Sequence, residues 1–188
     1  FEFMFHTKEK LGAFHQPLLF TAWVNGVAGV TGLVLHAWGF TLRHGSNGCA
    51  YWTNSEVTTE DWKSRTPKTV VVTTRHGRGR ETKPVLCGAI KGKRDDETRP
   101  IVFIHGLGVG LAPYLPHIAQ LLRSKPRRKI ALLTLPHISM RAVPRVPELD
   151  DMVDTVVEIT KKHACREPTL YGHSFGTFVV ARACQRYC

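Results

Sequence analysis

The chain has 188 residues, of which 43% are hydrophobic and 22% are charged, a composition that excludes collagen-like, disordered and disulfide-scaffold proteins. This length suffices for one domain with a hydrophobic core and is short for two. The formal net charge is +11, but the basic residues are spread along the chain and the densest cluster, Arg123 to Lys129, has no aromatic residues among them. We therefore expect no nucleic-acid partner.

The first long apolar segment runs from Leu18 to Leu42 and contains no Lys, Arg, Asp or Glu. As a helix it would extend about 37 Å, more than the roughly 30 Å of a bilayer's hydrocarbon core. Trp23 and Trp38 lie towards its two ends, as aromatic residues at membrane interfaces do. We expect a single-pass transmembrane helix at 18–42 after an N-terminal flank at 1–17. A buried hairpin or helix pair in a soluble domain is the alternative.

A change of character follows this segment. Residues 43–68 contain the turn-forming sequence Gly-Ser-Asn-Gly and then mixed charges, which indicates a linker. Beyond it, Thr69–Thr74 and Pro84–Ile90 are rich in strand-forming residues and are separated by a polar segment. This pattern predicts two adjacent strands forming a hairpin.

The second half of the chain alternates strand-like and helix-like segments. Ile101–Ile104 and Ile130–Leu135 are short apolar segments of the kind found in strands buried on both faces. Each of these segments is followed by helical periodicity, and the second of the two helices begins after Pro147. The sequence then predicts a third strand at Pro168–Tyr171 and a third helix from Phe175. Such alternation predicts an α/β fold with a mostly parallel sheet, in a domain spanning residues 69–188.

A candidate nucleophile lies where the last predicted strand meets the last helix. Gly172, His173, Ser174, Phe175 and Gly176 match the pattern G-x-S-x-G. A serine on a sharp strand-to-helix turn is strained and exposed, and the flanking glycines relieve crowding. The helix that follows directs its positive end and its free amides at this serine, so the Phe175 N–H is a candidate donor to an oxyanion.

A second oxyanion donor is expected after the first buried strand, where His105, Gly106, Leu107 and Gly108 follow Ile104. In a parallel sheet this loop and the serine turn emerge at the same carboxyl edge, where ligands bind. Each motif by itself also occurs in ordinary turns. Together they predict an acyl-transfer site with the Leu107 N–H as the second donor.

The segment Pro100–Tyr187 resembles the first half of an α/β-hydrolase of the broad ester-hydrolase type, with His-Gly after strand three and Gly-His-Ser-Phe-Gly at the nucleophile elbow. The resemblance implies that Thr69–Ile90 forms antiparallel strands one and two and that Ser174 is the catalytic nucleophile. It implies nothing about the substrate, because Leu135–Arg141 differs from the D-x-x-G-x-G-x-S loop that many relatives carry after strand four.

In such hydrolases the acid and the histidine of the triad follow the serine in sequence. The chain has neither a histidine nor a carboxylate after Ser174. We therefore expect a fragment truncated after the nucleophile elbow, with its triad acid and histidine beyond Cys188 and little or no turnover by these residues themselves. The histidines His105, His117, His137 and His163 are expected to be structural, or at most to line a pocket.

The expected function is that of a membrane-tethered serine hydrolase of carboxylic esters, lipid esters among them, acting through an acyl-enzyme at Ser174. No cofactor or metal is expected, because no pair of histidines has ligand spacing on one helix. The alternative is a non-catalytic, membrane-anchored binding or scaffolding protein that keeps the same fold.

Overall fold

The computed structural model describes residues 18–56, 71–74, 99–124, 126–163 and 168–187. These residues form a sheet with helices on both of its faces. The helices are α1 (Leu18–Ala37), α2 (Leu115–Ser124), α3 (Leu149–Lys162) and α4 (Gly176–Tyr187), and short 3₁₀ helices lie at Ala112–Tyr114 and Pro136–Ser139. The strands are β1 (Thr41–His44), β2 (Ala50–Thr53), β3 (Val71–Thr74), β4 (Ile101–Ile104), β5 (Ile130–Thr134) and β6 (Thr169–Gly172).

The strands are arranged in the order β1-β2-β5-β4-β6-β3. Strand β4 is parallel to both β5 and β6, and β3 is parallel to β6, whereas β1 and β2 add an antiparallel pair beside β5. The fold is therefore α/β with a mixed sheet, and the prediction of a mostly parallel sheet is corrected. The physical reason is the short turn between β1 and β2, which can join only antiparallel neighbours.

The central strands are buried on both faces, which explains their wholly apolar sequences. Because side chains alternate along a strand, Ile101 and Phe103 of β4 pack with residues of α1 and α2, while Val102 and Ile104 pack with residues of α3 and α4. Strand β5 divides its side chains in the same way. The two hydrophobic clusters hold β4, β5 and β6 rigidly, so the loops at their carboxyl ends have a firm base.

Helix α1 ends earlier than the sequence suggested. Gly39 has a φ of +84°, its N–H donates to the His36 carbonyl at 2.9 Å, and the Phe40 N–H donates to the Leu35 carbonyl at 3.0 Å. This pair of bonds is a Schellman motif, completed by contact between the fully buried Leu35 and Phe40. The predicted helix over 18–42 is corrected accordingly, because its last residues turn back into the domain and begin β1.

Within the part of the chain that the structure describes, α1 is the helix long and apolar enough to cross a membrane. Few of its residues are buried, namely Val24, Thr31 and Leu35. These three lie against the domain, and the Asn25 side-chain oxygen accepts a hydrogen bond from Arg141 Nε at 3.2 Å. Most of the apolar surface of α1 is therefore exposed although the helix contacts the domain along one side.

The predicted linker at 43–68 also needs correction where the structure describes it. Strand β2 lies there, between β1 and β5, with Tyr51 buried in the core. The Tyr51 hydroxyl donates to His163 Nε2 at 3.1 Å while His163 Nδ1–H donates to the Glu56 carbonyl at 3.2 Å. His163 thus has the structural role expected of it, since it attaches the end of α3 to this strand.

The predicted hairpin at Thr69–Thr74 and Pro84–Ile90 is corrected for its first strand. Strand β3 pairs with β6 in parallel, and it lies at the other edge of the sheet from β1. The second predicted strand lies outside the described residues. The resemblance placed two antiparallel strands at Thr69–Ile90, whereas the antiparallel strands of this sheet are β1 and β2, beside β5.

Candidate active site

The turn between β6 and α4 places Ser174 at the carboxyl edge of the sheet. Ser174 is exposed and has a φ of +51°, a left-handed conformation that is costly for a residue with a Cβ atom. Among the described non-glycine residues it shares a positive φ only with Met140. Strain of this kind persists where the surrounding structure holds it, typically at functional sites.

The glycines of the serine turn are required by close backbone packing. A Cβ atom on Gly172 would lie 2.6 Å from the Gly176 carbonyl oxygen, and one on Gly176 would lie 2.2 Å from the Ile104 carbonyl oxygen. Both distances are far below a normal carbon–oxygen contact of about 3.3 Å. The first residue of α4 therefore lies directly against the end of β4, which brings the serine turn next to the loop that follows β4.

The loop after β4 contacts the serine turn through Gly106. A Cβ atom at this position would lie 2.6 Å from Ser174 Cβ and 2.9 Å from the His173 carbonyl oxygen. The structure thus brings together the two motifs that the sequence identified separately. From here on, residues 105–110 are called the oxyanion loop and residues 172–176 the nucleophile elbow.

Two backbone amides, one in each loop of the site, make no hydrogen bond to any residue that the structure describes. In the oxyanion loop the Gly106 N–H donates to the Tyr114 hydroxyl at 3.3 Å and the Gly108 N–H donates to the Ile138 carbonyl at 3.0 Å. Between them, the Leu107 N–H makes no hydrogen bond to any residue that the structure describes. The same holds for the Phe175 N–H in the nucleophile elbow. These are the two amides that the sequence analysis predicted as oxyanion donors.

His105 fixes the oxyanion loop to the neighbouring strand. Its ring is fully buried, Nδ1–H donates to the Gly106 carbonyl at 2.8 Å, and Nε2 accepts from the Leu135 N–H at 3.0 Å. Burial is the main cause that lowers the pKa of His105. Because backbone groups engage both ring nitrogens, neither nitrogen is available to act as a base toward Ser174.

His173 of the nucleophile elbow bonds to a residue that the sequence did not identify. His173 Nδ1 lies 2.7 Å from the hydroxyl of Tyr114, and the two rings meet edge to face at 5.5 Å between centroids. No sequence motif marks Tyr114, whose hydrogen-bond partners are 8 and 59 positions away along the chain. Only the folded structure shows that this tyrosine belongs to the site.

His137 and His117 lie near the site without reaching the serine hydroxyl. The ring of His137 meets Phe175 edge to face at 6.1 Å, and both of its nitrogens are buried without a hydrogen-bond partner in the described part of the chain. Burial lowers the pKa of His137. His117 packs near Phe103 instead. The Ser174 hydroxyl makes no hydrogen bond to any described histidine or carboxylate.

Three large apolar side chains near the carboxyl ends of the parallel strands are open to solvent. Leu107 is 69% exposed, Phe178 in the first turn of α4 is 58% exposed, and Met140 after β5 is 40% exposed. They belong to segments that follow β4, β6 and β5, respectively. The edge of the sheet that carries Ser174 therefore also presents exposed apolar side chains.

Comparison with known proteins gives a similarity to a solved structure. No family model and no curated protein matches the chain. Among solved structures, the chain is similar to the one titled "Crystal structure of a membrane phospholipase A, a novel bacterial virulence factor", with a TM-score of 0.45 and 12% sequence identity. The similarity covers 88% of this chain and 41% of that protein, so the chain spans less than half of that protein's length.

Proposed function

We propose that this chain carries the nucleophile of a serine hydrolase of the α/β-hydrolase type, which acts on carboxylic esters. The observation that supports the proposal is an exposed Ser174 in a left-handed backbone conformation, in a site where the Leu107 and Phe175 amides have no hydrogen-bond partner among the described residues. A tetrahedral intermediate formed at Ser174 needs donors of this kind for its negative oxygen. Gly106 permits the close approach between the loop that carries Leu107 and the turn that carries Ser174 and Phe175.

In the proposed reaction, Ser174 Oγ forms a bond to the ester carbonyl carbon, and the π electron pair moves to the carbonyl oxygen. Leu107 N–H and Phe175 N–H donate hydrogen bonds to that oxygen. When the pair returns, the bond to the alkoxide breaks, and the proton removed from Ser174 passes through a general base to the leaving alcohol. Water then attacks the acyl-enzyme with the same base, releasing the acid and restoring Ser174.

The general base is proposed to lie outside the described residues, because none of the described histidines or carboxylates bonds the Ser174 hydroxyl. In α/β-hydrolases the acid and the base follow the nucleophile in sequence. Residues 175–188 contain neither a histidine nor a carboxylate. We therefore assign neither the acid nor the base of the triad to a described residue.

The substrate is proposed to be a lipid ester at a membrane. The exposed side chains of Leu107, Met140 and Phe178, in segments at the same edge of the sheet as Ser174, suit a hydrocarbon chain better than a polar alcohol or acid. Helix α1, which is long and apolar enough to cross a bilayer, is proposed as the single-pass anchor that keeps the domain beside its substrate.

The test is covalent labelling of the full-length protein with a fluorophosphonate probe, followed by peptide mass spectrometry. The probe should modify Ser174 and should leave the Ser174→Ala variant unlabelled. Ser124→Ala is the matched control, since Ser124 is an exposed serine at the end of α2 whose hydroxyl bonds only the Gln120 and Leu121 carbonyls. Equal labelling of wild type and Ser174→Ala would refute the assignment, and no labelling of a folded wild type would favour the non-catalytic alternative.

A further inference from the structure

Tyr114 lies beside both halves of the site because of the local sequence around it. Leu111 is buried and anchors the end of the oxyanion loop, and the 3₁₀ helix Ala112–Tyr114, with Pro113 in its first turn, follows it directly. The Tyr114 ring packs edge to face on Phe103 of β4, with 4.9 Å between centroids. This packing directs the hydroxyl to the space between the ends of β4 and β6.

The Tyr114 hydroxyl joins two loops that are far apart in sequence. Its oxygen accepts the hydrogen bond from the Gly106 N–H at 3.3 Å. The same hydroxyl oxygen lies 2.7 Å from His173 Nδ1, and it donates its proton there when the His173 ring carries its own proton on Nε2. One hydroxyl group therefore connects the oxyanion loop to the nucleophile elbow.

We propose that Tyr114 is a positioning residue that holds the oxyanion loop in register with the nucleophile elbow. This inference rests on the function proposed above. The Leu107 N–H follows Gly106 directly, so its direction depends on where the Gly106 amide is held. Displacing an oxyanion donor by about 1 Å removes much of its stabilisation of the intermediate, because the donor must lie about 2.7–3.1 Å from the oxygen.

The decisive variant is Tyr114→Phe in the full-length protein, which keeps the ring on Phe103 and removes only the bridging hydroxyl. We expect kcat for a short oxoester to fall about tenfold with KM changed less than about twofold, since the lost interaction acts on the intermediate and not on the bound ester. Tyr171→Phe is the matched control. Tyr171 also stacks on Phe103, at 5.8 Å, but its hydroxyl bonds neither loop, so this variant should keep the wild-type rate.

A second measurement separates positioning from a general loss of packing. A thionoester places sulfur, a weak hydrogen-bond acceptor, where the oxyanion would form, so its hydrolysis depends little on the donors. Tyr114→Phe should therefore lower kcat/KM for the oxoester several-fold more than for the matching thionoester. Equal losses on the two esters, or an unchanged oxoester rate, would overturn the proposal.

A third variant keeps the proposal testable if Tyr114→Phe folds poorly. His173→Leu removes the acceptor of the Tyr114 proton and leaves the Gly106 bond in place. It should show the same selective loss on the oxoester to a smaller extent, and the double variant should lose no more than Tyr114→Phe. Additive losses would contradict a shared bridge. If the wild type is labelled at Ser174 and the kinetics of Tyr114→Phe, His173→Leu and the double variant are unchanged, this inference alone is refuted. An unlabelled wild type would instead refute the proposed function.

Discussion

The close contact between α4 and β4 makes Gly176→Ala the sharpest perturbation of the site. The new methyl group would lie 2.2 Å from the Ile104 carbonyl oxygen. A carbon–oxygen contact needs about 3.3 Å, so the start of α4 must move away from β4 by about 1 Å. The Ile104 carbonyl oxygen belongs to the backbone of a buried strand, so it cannot rotate away from the methyl group as a side-chain atom could.

This displacement should affect both stability and chemistry. Overpacking of this kind costs about 2 kcal/mol in the free energy of unfolding. Because Phe175 immediately precedes Gly176, its N–H would move with the helix, and a misplacement of about 1 Å lowers the rate at the reacting atoms by about 100-fold. The variant should therefore be less stable and should react with the probe far more slowly at Ser174.

The assay combines urea unfolding with the rate of fluorophosphonate labelling at a temperature where the variant is folded. Gly29→Ala is the matched control, because a Cβ atom at Gly29 meets nothing within 4 Å and alanine favours a helix. The control should be as stable as the wild type or more so, and should label normally. If Gly176→Ala retained both the wild-type unfolding free energy and the wild-type labelling rate, the assigned packing of the nucleophile elbow would be wrong.

Two further predictions concern stability. Burial lowers the pKa of both His105 and His163 in the folded state, so folding favours their neutral forms. The unfolding free energy should therefore be constant above about pH 6.5 and should fall as the pH drops below it. Urea titrations from pH 8 to pH 5 that show no decline in this free energy would contradict the prediction. Gly39→Ala should cost about 1 kcal/mol in the same assay, because its φ of +84° is unfavourable for alanine, whereas stability equal to that of Gly29→Ala would show that the Schellman turn contributes nothing.

The sequence predicts the centre of the fold well because the signals there are local and strong. The strands β4, β5 and β6 and the helix α3 all lie within segments that the apolar pattern had marked, and strands buried on both faces have few polar residues to obscure them. Charges at both ends of α3 also favour a helix there, since Asp150 and Asp151 lie in its first turn and Lys161 and Lys162 in its last.

The edges of the sheet could not be predicted in the same way. All four residues of β1 are exposed, so its sequence has no alternation of apolar and polar residues. Strand β2 does alternate, but it is only four residues long and follows a glycine-containing turn, which together look like a linker. Edge strands owe their conformation to their neighbours in the sheet, and pairing partners such as Leu133 for Tyr51 are distant in sequence.

The site shows the same division between local and tertiary information. Ser174 and its glycines follow from a local pattern, because the steric demands of a sharp turn act on neighbouring residues. The loop containing Leu107 could be added because the carboxyl ends of parallel strands share an edge. Tyr114 could not be found, since its importance depends on contacts with Gly106 and His173 that arise only after β4 and β6 have paired.

The short turn between α1 and β1 restricts rotation of the helix relative to the sheet. Only Trp38, Gly39 and Phe40 separate the two elements, and Phe40 is locked into the interior. A change in the tilt of α1 would therefore be transmitted directly to β1 at the edge of the sheet. Under the anchoring proposed above, this short connection would fix the distance and the angle of Ser174 relative to the membrane surface, which a long flexible linker would leave variable.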